Sequence, residues 1–549
     1  MPDMDRPTLL STLGTLTFGL VLPIGLICAF TYLKTLIYYQ LDVRNRPDCK
    51  EDIQIVRTPP LIPYAMPGLG STIAFSNQTV GSFWAFLKAQ ADRYGHEAFS
   101  IILAGKRTHF IFSDDGVSAL FKSRQLSRAA LDRQLAVNVL GMCKEDSFKA
   151  FPDRNDEKEK MTTERLHSEH LLSSAAVNLL TEKFMETFRA QLDDDIDLTD
   201  GGEINLYDWL WHRIFRASTT SLAGSKLLEM YPDFDVDYRA WEDSLLALLF
   251  GTPRLFARQA YRARDACVEK LEKWLQTGYQ HPVKDGENPD WTPYSGARIM
   301  RRRHDLYKQR DLSIHGQAGW DLIFLAGILS NATPATGWLL MHILSPTSTF
   351  DFRSRIMQEL QSCKRSNGSV DIPALTRLPL LNSAFHEVLR LYVDLLVVRQ
   401  VDSSVALRTH YVNQGEQVMA PTWMTHRNPA FFERPDVFDP ERFLITDPET
   451  GMLSYSTAGL GGKYFPFGGG HYMCPGRVFA KQEVLGTVAM LLLNFDITFT
   501  KFVKHTKGGW EAAGKNDFPT IKNGFAGNQV VGIEGVMRVH IKRRPSVST

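Results

Sequence analysis

The feature that most constrains this chain is a glycine-rich loop, residues 467–476, that carries a cysteine near its end and leads into a helix-like run, 477–485. Three consecutive glycines, 468–470, allow the backbone to approach a flat ligand closely and to adopt positive φ angles. Cys474 stands at the predicted start of the helix, where free backbone N–H groups and the helix dipole stabilise a thiolate. The pattern favours a thiolate ligand for a metal, although a lone cysteine is more often a buried structural residue.

The composition allows a large buried core and argues against a nucleic-acid partner. The 549 residues are 44% hydrophobic and carry a formal net charge of +1, without the basic stripe that nucleic-acid binding needs. Six cysteines lie far apart, with no CxxC or other zinc-site spacing. This scatter predicts reduced, mostly structural thiols in a protein that faces the cytosol, with one chemically active cysteine, Cys474. The six are Cys28, Cys49, Cys143, Cys267, Cys363 and Cys474.

The N-terminal segment predicts a membrane anchor. Residues 7–33 include no charged side chain and exceed the roughly 20 residues that cross a bilayer. A cleaved signal peptide is the competing interpretation, but its apolar region would be shorter and would end in a small-residue cleavage site. Basic residues follow the span, beginning with Lys34 and Arg44, so the positive-inside rule places the body of the protein in the cytosol. We expect a single-pass anchor over residues 1–40.

The rest of the chain predicts a hinge and one large domain. Residues 41–70 are charged at first and then rich in proline, which fixes φ and removes N–H donors, so this segment should be a stiff, extended connector. Residues 71–549 show no repeat and no long low-complexity linker. We expect one domain over this range, mainly α-helical with small β-sheets.

Local patterns place several elements in this domain. Two runs of residues with high β-strand propensity flank residues 104–107 and predict a β-hairpin. Helical patterns dominate afterwards, and the consecutive arginines 301–303 are expected on a solvent-facing helix segment. The predicted strands are 99–103 and 108–112, and the predicted helices include 206–222, 241–249 and 253–275.

A charged motif lies in a helix-like segment, 381–392. Glu387 and Arg390 are spaced i,i+3, so they share one helix face and can pair. An ordinary surface salt bridge is the simpler explanation of such a pair. Further along, Arg442 follows a proline turn in the segment 438–443. A buried Glu387 that binds both arginines would form a hydrogen-bonded triad, for which the planar guanidinium is well suited.

These segments, in this order, resemble the cytochrome P450 family of heme-thiolate monooxygenases. The resemblance covers almost the whole chain: the anchor, the proline hinge, ExxR at 387–390, PERF at 440–443 and the FxxGxxxCxG loop at 467–476. It implies a cytochrome P450 fold, mainly helical, with heme b between a long central helix and the cysteine loop. It also implies that Cys474 is the proximal iron ligand, that Glu387, Arg390 and Arg442 form the structural triad, and that Phe467, Gly470 and His471 contact the cofactor.

The cysteine loop departs from the family pattern at one position. The family commonly has Arg or His two residues before the cysteine, where it contacts a heme propionate. Here that position is Tyr472, which can donate a hydrogen bond but carries no positive charge. His471 or Arg399, which follows the ExxR helix, could supply the charge.

The segment 321–344 predicts the central helix. It is nearly free of charge and long enough to be mistaken for a second membrane span, but small and polar residues cluster at its middle, as suits a buried helix that crosses a cofactor. Pro334 cannot donate to the carbonyl of Ser330, so we expect the helix to open or kink there.

The family usually places an acid–threonine pair on this helix for proton delivery. One alignment puts Thr333 at the acid position and Pro334 at the threonine; the alternative sets 326–327 on the family's AG and leaves Leu329 at the acid. Under the first alignment, Asn331 and Thr333 could relay protons through an ordered water, which makes them the catalytic candidates.

The pattern NxxPATxW at 331–338 resembles one branch of the family, which contains bile-acid sterol hydroxylases, prostacyclin synthase and fungal secondary-metabolism enzymes. The leading hypothesis is a monooxygenase of the endoplasmic reticulum membrane that oxidises a lipophilic terpenoid, sterol or polyketide-type molecule. NADPH–cytochrome P450 reductase would supply the electrons. Arg477 and Lys481 could help that partner dock, although solvated helix charges are the simpler explanation.

Two other functions stay open. The unusual central helix favours an isomerase or dehydratase that rearranges a peroxide or epoxide without O2 or NADPH. A heme-binding sensor is the third hypothesis, and the complete thiolate framework argues against it.

Overall fold

The computed structural model describes most of the chain as two compact units. One comprises Met1–Ser127 and Leu396–Met424, and the other Arg128–Leu395 and Thr425–Thr549. The described residues are 9–44, 56–76, 80–95, 97–153, 162–194, 198, 201–284, 286–347, 352–365, 369–506, 509–514, 516–524, 527 and 529–545. The charged first part of the predicted hinge, 45–55, lies outside them.

The first unit combines a long N-terminal helix with a five-stranded sheet. The helices are Leu9–Arg44, Thr72–Ser76, Val80–Tyr94 and Asp114–Lys122, followed late in the chain by Thr422–Thr425. The sheet strands, in spatial order, are Ala98–Leu103, Lys106–Ile111, Gln417–Pro421, Leu396–Val401 and Leu126–Ser127. A separate hairpin pairs Val405–Leu407 with His410–Val412.

The predicted hairpin is confirmed. Strands Ala98–Leu103 and Lys106–Ile111 pair antiparallel, with Leu103 opposite Lys106. The turn therefore has only two residues, Ala104 (φ 47°) and Gly105 (φ 80°). Positive φ at both positions gives a turn whose twist matches that of the strands, which is why the hairpin is tighter than the sequence indicates.

The proline connector is extended, as predicted, and it runs along the first strand. Ile62 N donates to Ser100 O (3.0 Å), and Ser100 N donates to Pro60 O (2.7 Å). The buried Ser100 hydroxyl donates to Pro59 O (2.8 Å) and lies 2.8 Å from His109 Nδ1. These hydrogen bonds provide partners for backbone groups of the proline-rich segment, which cannot form a helix of its own.

The N-terminal helix also packs on the first unit. Thr35 Oγ1 exchanges hydrogen bonds with the backbone of Tyr64 (3.1 Å each), and Tyr39 OH donates to Tyr94 O (3.3 Å). Residues Val21–Arg44 have a mean hydropathy of 1.7, and none of them is buried, which makes this helix a candidate membrane span.

The second unit is mainly helical. Its helices are Ala129–Leu140, Lys144–Ala150, Thr163–His167, Ser174–Asp193, Leu206–Ala223, Ser225–Met230, Phe234–Asp243, Leu245–Leu249, Arg258–Gln280, Arg298–Gln309, Ile314–Leu344, Phe352–Gln361, Ile372–Leu375, Pro379–Tyr392 and Arg477–Asn494, with a π-helical turn at Ser168–Leu172 and a 3₁₀ turn at Gly470–Tyr472.

Small sheets complete this unit, so the predicted fold class, mainly α with small sheets, is confirmed. A four-stranded sheet has the spatial order Gly509–Ala513, Phe495–Thr506, Val536–Arg543 and Gly202–Asn205. The two-stranded sheets pair Trp291–Thr292 with Gly296–Ala297, Leu444–Thr446 with Leu453–Tyr455, and Thr520–Ile521 with Ile533–Glu534.

The predicted helices differ from the structure at their ends. Helix 206–222 is confirmed by Leu206–Ala223. The helix predicted over 241–249 is wrong as one element, because Ser244 separates two helices, Phe234–Asp243 and Leu245–Leu249. The helix predicted from residue 253 begins only at Arg258, after a turn in which Phe256 N donates to Pro253 O (2.8 Å).

The prediction that arginines 301–303 face solvent is wrong for Arg303, which is 3% exposed. Arg303, His304 and Tyr307 surround the buried carboxylate of Asp321 on the long helix Ile314–Leu344, which we call the central helix. Arg303 Nε lies 3.3 Å, His304 Nε2 3.1 Å and Tyr307 OH 2.5 Å from its oxygens. This network fixes helix Arg298–Gln309 against the central helix, and it depends on packing that the local sequence does not reveal.

Candidate active site

The predicted charge triad is present and buried. Arg390 donates to the Glu387 carboxylate through Nε (2.7 Å) and Nη2 (2.9 Å), a bidentate pair. Arg442 Nε donates to the same carboxylate at 3.0 and 3.1 Å. The Glu387 and Arg390 side chains are completely buried and Arg442 is 10% exposed, so each charge depends on its partners.

Hydrogen bonds connect the triad to the cysteine loop. Arg390 Nη1 donates to His426 O (2.8 Å), and the His426 ring accepts the backbone N–H of Phe465 at Nε2 (3.0 Å). Burial holds the pKa of His426 well below its usual range, so the ring is neutral and can accept this proton. Gly468 N then donates to Phe465 O (2.9 Å). The triad thus fixes the start of the loop.

The cysteine loop is closed by its own backbone. Cys474 N donates to Phe467 O (2.9 Å), across the turn Gly470–Tyr472. Gly468 (φ 70°) and Gly470 (φ 63°) are in the left-handed region, where a side chain is strained. The shape of the loop therefore favours glycine at 468 and 470, whereas Gly469 is extended (φ −168°).

The thiol of Cys474 lies just before the N-terminus of helix Arg477–Asn494. Burial raises the pKa of the thiol, while hydrogen bonds from the N–H groups of Gly476 and Arg477 and the positive charge of Arg477 lower it. In the protein alone burial outweighs the helix terminus, so the thiol pKa is raised. A bound metal cation would reverse that balance, because coordination deprotonates a thiol.

One face of the central helix borders open space. Of its most apolar stretch, 72% is buried, yet Ile323 is 40% exposed. A Cβ added at Gly327 would meet no atom within 4 Å. Asn331 follows at the next i+4 position, so the three share one side of the helix. This arrangement leaves room for a flat group beside the helix backbone.

The comparisons with known proteins agree with this geometry. The family model for cytochrome P450 matches residues 60–508, most of the chain. The chain belongs to the cytochrome P450 family. It is similar to the cytochrome P450 monooxygenase poxD of Penicillium oxalicum, with 30% identity over 80% of this chain and 87% of that protein.

More distant relatives include sterol hydroxylases. The 24-hydroxycholesterol 7-alpha-hydroxylase of Homo sapiens is 23% identical to this P450 over 80% of this chain and 88% of that protein. Among solved structures, the retinoic acid bound cyanobacterial CYP120A1 matches with a TM-score of 0.62 and 20% identity, covering 89% of this chain and all of that one. That structural likeness supports the fold alone.

The residues of this P450 fit a heme-thiolate centre. Among the described residues, no group of three or more His, Cys, Asp or Glu side chains could hold a metal ion. A porphyrin brings nitrogen ligands of its own, so a single cysteine is enough to hold its iron. A heme bound through a cysteine thiolate supplies iron whose electron-rich ligand favours O–O cleavage. Cys474 would hold the iron, and the open face at Gly327 would border the ring.

The two propionate candidates of this P450 belong to different units. His471, in the second unit, is exposed, and its Nε2 lies 3.4 Å from Glu164 Oε1. Arg399 belongs to the first unit, on strand Leu396–Val401, where it is 5% exposed and Nη1 donates to Val398 O (2.9 Å). Their roles stay predictions.

The cations of the cysteine helix are not simply solvated. Arg477 Nη1 donates to Cys474 O (2.9 Å), and Lys481 Nζ lies 2.6 Å from the hydroxyl of Tyr455. Burial lowers the pKa of Lys481 to about 8. The simpler explanation of these charges as solvated is corrected: both side chains turn toward the protein and stiffen the start of the helix.

The catalytic candidates of the central helix lie apart. The central helix of this P450 continues through Pro334 as one element, and Thr336 Oγ1 donates to Ala332 O (2.8 Å) beside it. The kink expected at Pro334 stays a prediction. Thr333 is 1% exposed and, two residues after Asn331, points roughly 200° around the helix from it. The structure therefore does not bring Asn331 and Thr333 to one face.

Sequence reasoning missed the partners of the central helix. Asn331 Nδ2 donates to Gly327 O (3.1 Å), and its Oδ1 accepts from Val530 N (3.1 Å), so the amide connects two segments of the second unit. Ser330 lies 2.6 Å from the hydroxyl of Tyr238. The partners are 199 and 92 residues away in sequence, and no local signal indicates either pair.

Proposed function

We propose that this P450 inserts one oxygen atom of O2 into a lipophilic small molecule, with electrons that a flavin reductase takes from NADPH. The observation that carries the proposal is the geometry of the Cys474 loop. The buried triad fixes the start of this loop through hydrogen bonds, and Cys474 lies just before the N-terminus of a helix. Such a framework makes sense for a thiolate that must stay ligated during repeated oxidation. In this proposal Phe467, Gly470, His471 and Arg399 contact the heme.

The substrate class follows from the pocket wall and the relatives. The exposed face of the central helix offers Ile323 and the bare backbone at Gly327, which suit an apolar ligand. The relatives named above are a P450 monooxygenase of Penicillium oxalicum and a human hydroxylase of 24-hydroxycholesterol. These observations support a terpenoid, sterol or polyketide-type substrate and a place in secondary metabolism.

Membrane attachment is part of the proposal. The exposed apolar helix would anchor residues 1–40 in the endoplasmic reticulum, with 41–70 as the hinge and 71–549 as the catalytic domain in the cytosol. A lipophilic substrate and a membrane-bound reductase would then meet the enzyme at the same surface.

In this proposal, Asn331 and Thr333 take part in proton delivery to different extents. Asn331 borders the open face and can hold an ordered water beside its amide. Thr333, which is buried on another side, would act only through neighbouring groups. The isomerase or dehydratase hypothesis is not favoured, since the relatives named above are monooxygenases or hydroxylases.

The test is a comparison of lipophilic metabolites from cells with and without this chain, grown under isotope-labelled O2. We expect a product that carries the label and a precursor that accumulates without the chain. Cys474→Ser should abolish the product and the thiolate absorption spectrum, whereas His471→Ala should keep that spectrum. A product with the mass of its precursor and no label would contradict monooxygenation and restore the isomerase.

A further inference from the structure

A buried histidine connects the sheet of the first unit to the proline connector. His109 and Ser100 lie opposite each other on the two strands of the hairpin, and neither is exposed. The His109 ring lies 2.8 Å from Ser100 Oγ at Nδ1 and 2.8 Å from Glu416 Oε2 at Nε2. The Ser100 hydroxyl in turn donates to Pro59 O (2.8 Å). A continuous chain of three hydrogen bonds therefore runs from the Glu416 carboxylate to the backbone of the connector.

The charged side chains around His109 come from its own strand and from the strands that follow it across the sheet. Arg107 lies two residues earlier, on the same face of the strand. Glu416 directly precedes the next strand of the sheet. Arg399, one strand further, is in the same cross-strand row as His109, with the buried Val418 between them.

These surroundings favour a neutral ring. Burial is the largest influence and lowers the pKa of His109, the hydrogen bond and charge of Glu416 raise it, and the positive charge of Arg107 lowers it. The pKa therefore lies below its ordinary value of 6.5. Neither strand Ala98–Leu103 nor residues 58–63 of the connector contain a titratable side chain.

Glu416 fixes the hydrogen on one nitrogen of the ring. Its Oε2 also accepts from the backbone N of Asn413 (2.6 Å) and from Asn413 Nδ2 (3.2 Å). Burial raises the pKa of this carboxyl, but the hydrogen bonds from His109 and Asn413 outweigh burial, so the pKa is lowered. An ionised carboxylate only accepts hydrogen bonds, so Nε2 of His109 must carry a hydrogen.

The single hydrogen of the Ser100 hydroxyl can point to either of two acceptors. If it points to Pro59 O, Nδ1 of His109 must donate to Ser100 Oγ. Because Nε2 already donates to Glu416, the ring then carries both hydrogens and a positive charge. If His109 is neutral, Nδ1 has no hydrogen and Ser100 donates to it instead. Pro59 O then keeps the bond from Arg107 Nη2 (2.8 Å) and loses that from Ser100.

We propose that the bond between Ser100 and Pro59 is a pH-sensitive link, which forms when His109 binds a proton and opens when the proton leaves. The proton comes from solvent and forms an N–H bond at Nδ1, while the Ser100 O–H turns from the ring to Pro59 O. No bond within Ser100 breaks, and no electron is transferred. The link goes beyond the proposed function and does not depend on it.

The link strengthens the attachment of the connector in weak acid. It adds to the backbone bonds that hold the connector to the first strand at every pH, such as that from Ile62 N to Ser100 O. The pKa of His109 is lowered in the fold, so the unfolded chain binds the proton more readily and global stability decreases as the pH falls below about 6.5. Local attachment and global stability therefore change in opposite directions, which distinguishes the link from a general effect of acid.

The first test is hydrogen exchange of the full-length, heme-loaded protein, followed by mass spectrometry in a peptide that covers residues 56–63. After correction for the intrinsic pH dependence of exchange, we expect protection of this segment to increase about 2- to 10-fold from about pH 8 to about pH 5, the effect of one net hydrogen bond. Ser100→Ala and His109→Gln should each abolish the increase. Ser100→Ala removes a single oxygen atom, so it tests the link even if His109→Gln folds poorly.

His410→Gln is the matched control. The backbone of His410 pairs with Arg57 of the connector, but its ring is not part of the chain from Glu416 to Pro59. This variant should keep the increase seen in the wild type. Protection that does not change with pH in the wild type, or an increase that persists in Ser100→Ala, overturns the proposal.

The second test is nitrogen-15 NMR of the protein with labelled histidine rings, in which the signal of His109 is identified by its loss in His109→Gln. We expect a hydrogen on Nε2 alone at neutral pH and hydrogens on both nitrogens in acid. Ser100→Ala should lower the pKa of His109 further, because the charged ring loses the stronger hydrogen bond. A neutral ring with its hydrogen on Nδ1 overturns the proposal, since Ser100 then binds Pro59 at every pH.

Discussion

Glu483 is a completely buried carboxyl on helix Arg477–Asn494. Ser218 is the hydrogen-bond partner of one oxygen, and the other oxygen has no partner among the described residues. Burial raises the pKa of Glu483 to about 8, which the single bond from Ser218 only partly offsets. The side chain is therefore neutral in the folded protein at physiological pH.

We predict that Glu483→Gln makes the protein relatively more stable as the pH rises. Between about 4.5 and about 8 the folded state keeps the proton of Glu483 while the unfolded chain releases it. Unfolding is then favoured by up to about 1.4 kcal/mol per pH unit, and glutamine, which titrates in neither state, removes this loss.

The measurement is the Tm of both proteins across that pH range. The difference, variant minus wild type, should increase with pH and level off above about 8. A difference that stays constant or falls would mean that Glu483 is ionised in the fold. The exposed pair of Lys226 with Glu229 provides the control, since Glu229→Gln should give a nearly constant difference.

At the scale of elements, the triad joins helix Pro379–Tyr392 to the segment that carries Arg442. Removing the carboxylate leaves two buried guanidinium groups without their common partner. We predict that Glu387→Gln lowers the free energy of unfolding by about 3–5 kcal/mol, the cost of breaking a buried ion pair. Because the same guanidinium of Arg390 binds His426 O, the cysteine loop should loosen as well.

The readouts are the Tm and the heme content of the purified protein. Glu441→Gln is the matched control, because Glu441 is adjacent to Arg442 and forms an exposed pair with Arg355. That variant should change stability by less than about 1 kcal/mol. Normal heme content and Tm in Glu387→Gln would show that the triad is dispensable.

Elements with a local signal could be predicted from the sequence. The hairpin around Gly105, the helix Leu206–Ala223 and the pair of Glu387 with Arg390 follow from turn residues, periodicity and short spacings. Arg442, the third member of the triad, is 55 residues from Glu387 and is expected through the family resemblance. The break at Ser244 and the burial of Arg303 could not, because they depend on contacts made after folding.

The site divides in the same way. The glycines before Cys474 predict a tight loop that leads into a helix, and the whole pattern lies within residues 467–476. The partners of Ser330 and Asn331 lie on segments distant in sequence, so only the tertiary structure identifies them. Spacing alone also does not reveal that Thr333 is buried, because that depends on which side of the central helix is open.

At the scale of the whole molecule, the N-terminal helix has two parts. Contacts with the body begin at Tyr32, whose side chain interacts with that of Tyr94, and continue at Thr35 and Tyr39, which bind the backbone of Tyr64 and Tyr94. From Leu9 to Thr31 the helix has about 23 residues, which at about 1.5 Å per residue spans the roughly 30 Å of a bilayer interior.

We predict that truncations before Tyr32 and after Arg44 have different effects. Removal of residues 1–31 should release the protein from membranes and keep its Tm, while removal of 1–44 should release it and also lower the Tm, because the contacts with Tyr64 and Tyr94 are lost. Membrane sedimentation and thermal melting are the measurements. Sedimentation of the shorter chains with vesicles would contradict a single anchor.

The contacts of Thr35 and Tyr39 make the helix a rigid stem for the first unit, not a loose tether. A unit on a flexible linker would rotate freely and present all of its surface to the lipid. A unit on a rigid helix keeps one orientation to the membrane. A compound dissolved in the bilayer then meets this unit in two dimensions, and uptake depends on molecules per unit of membrane area. Adding lipid at a fixed total amount of substrate would therefore slow the enzyme by dilution.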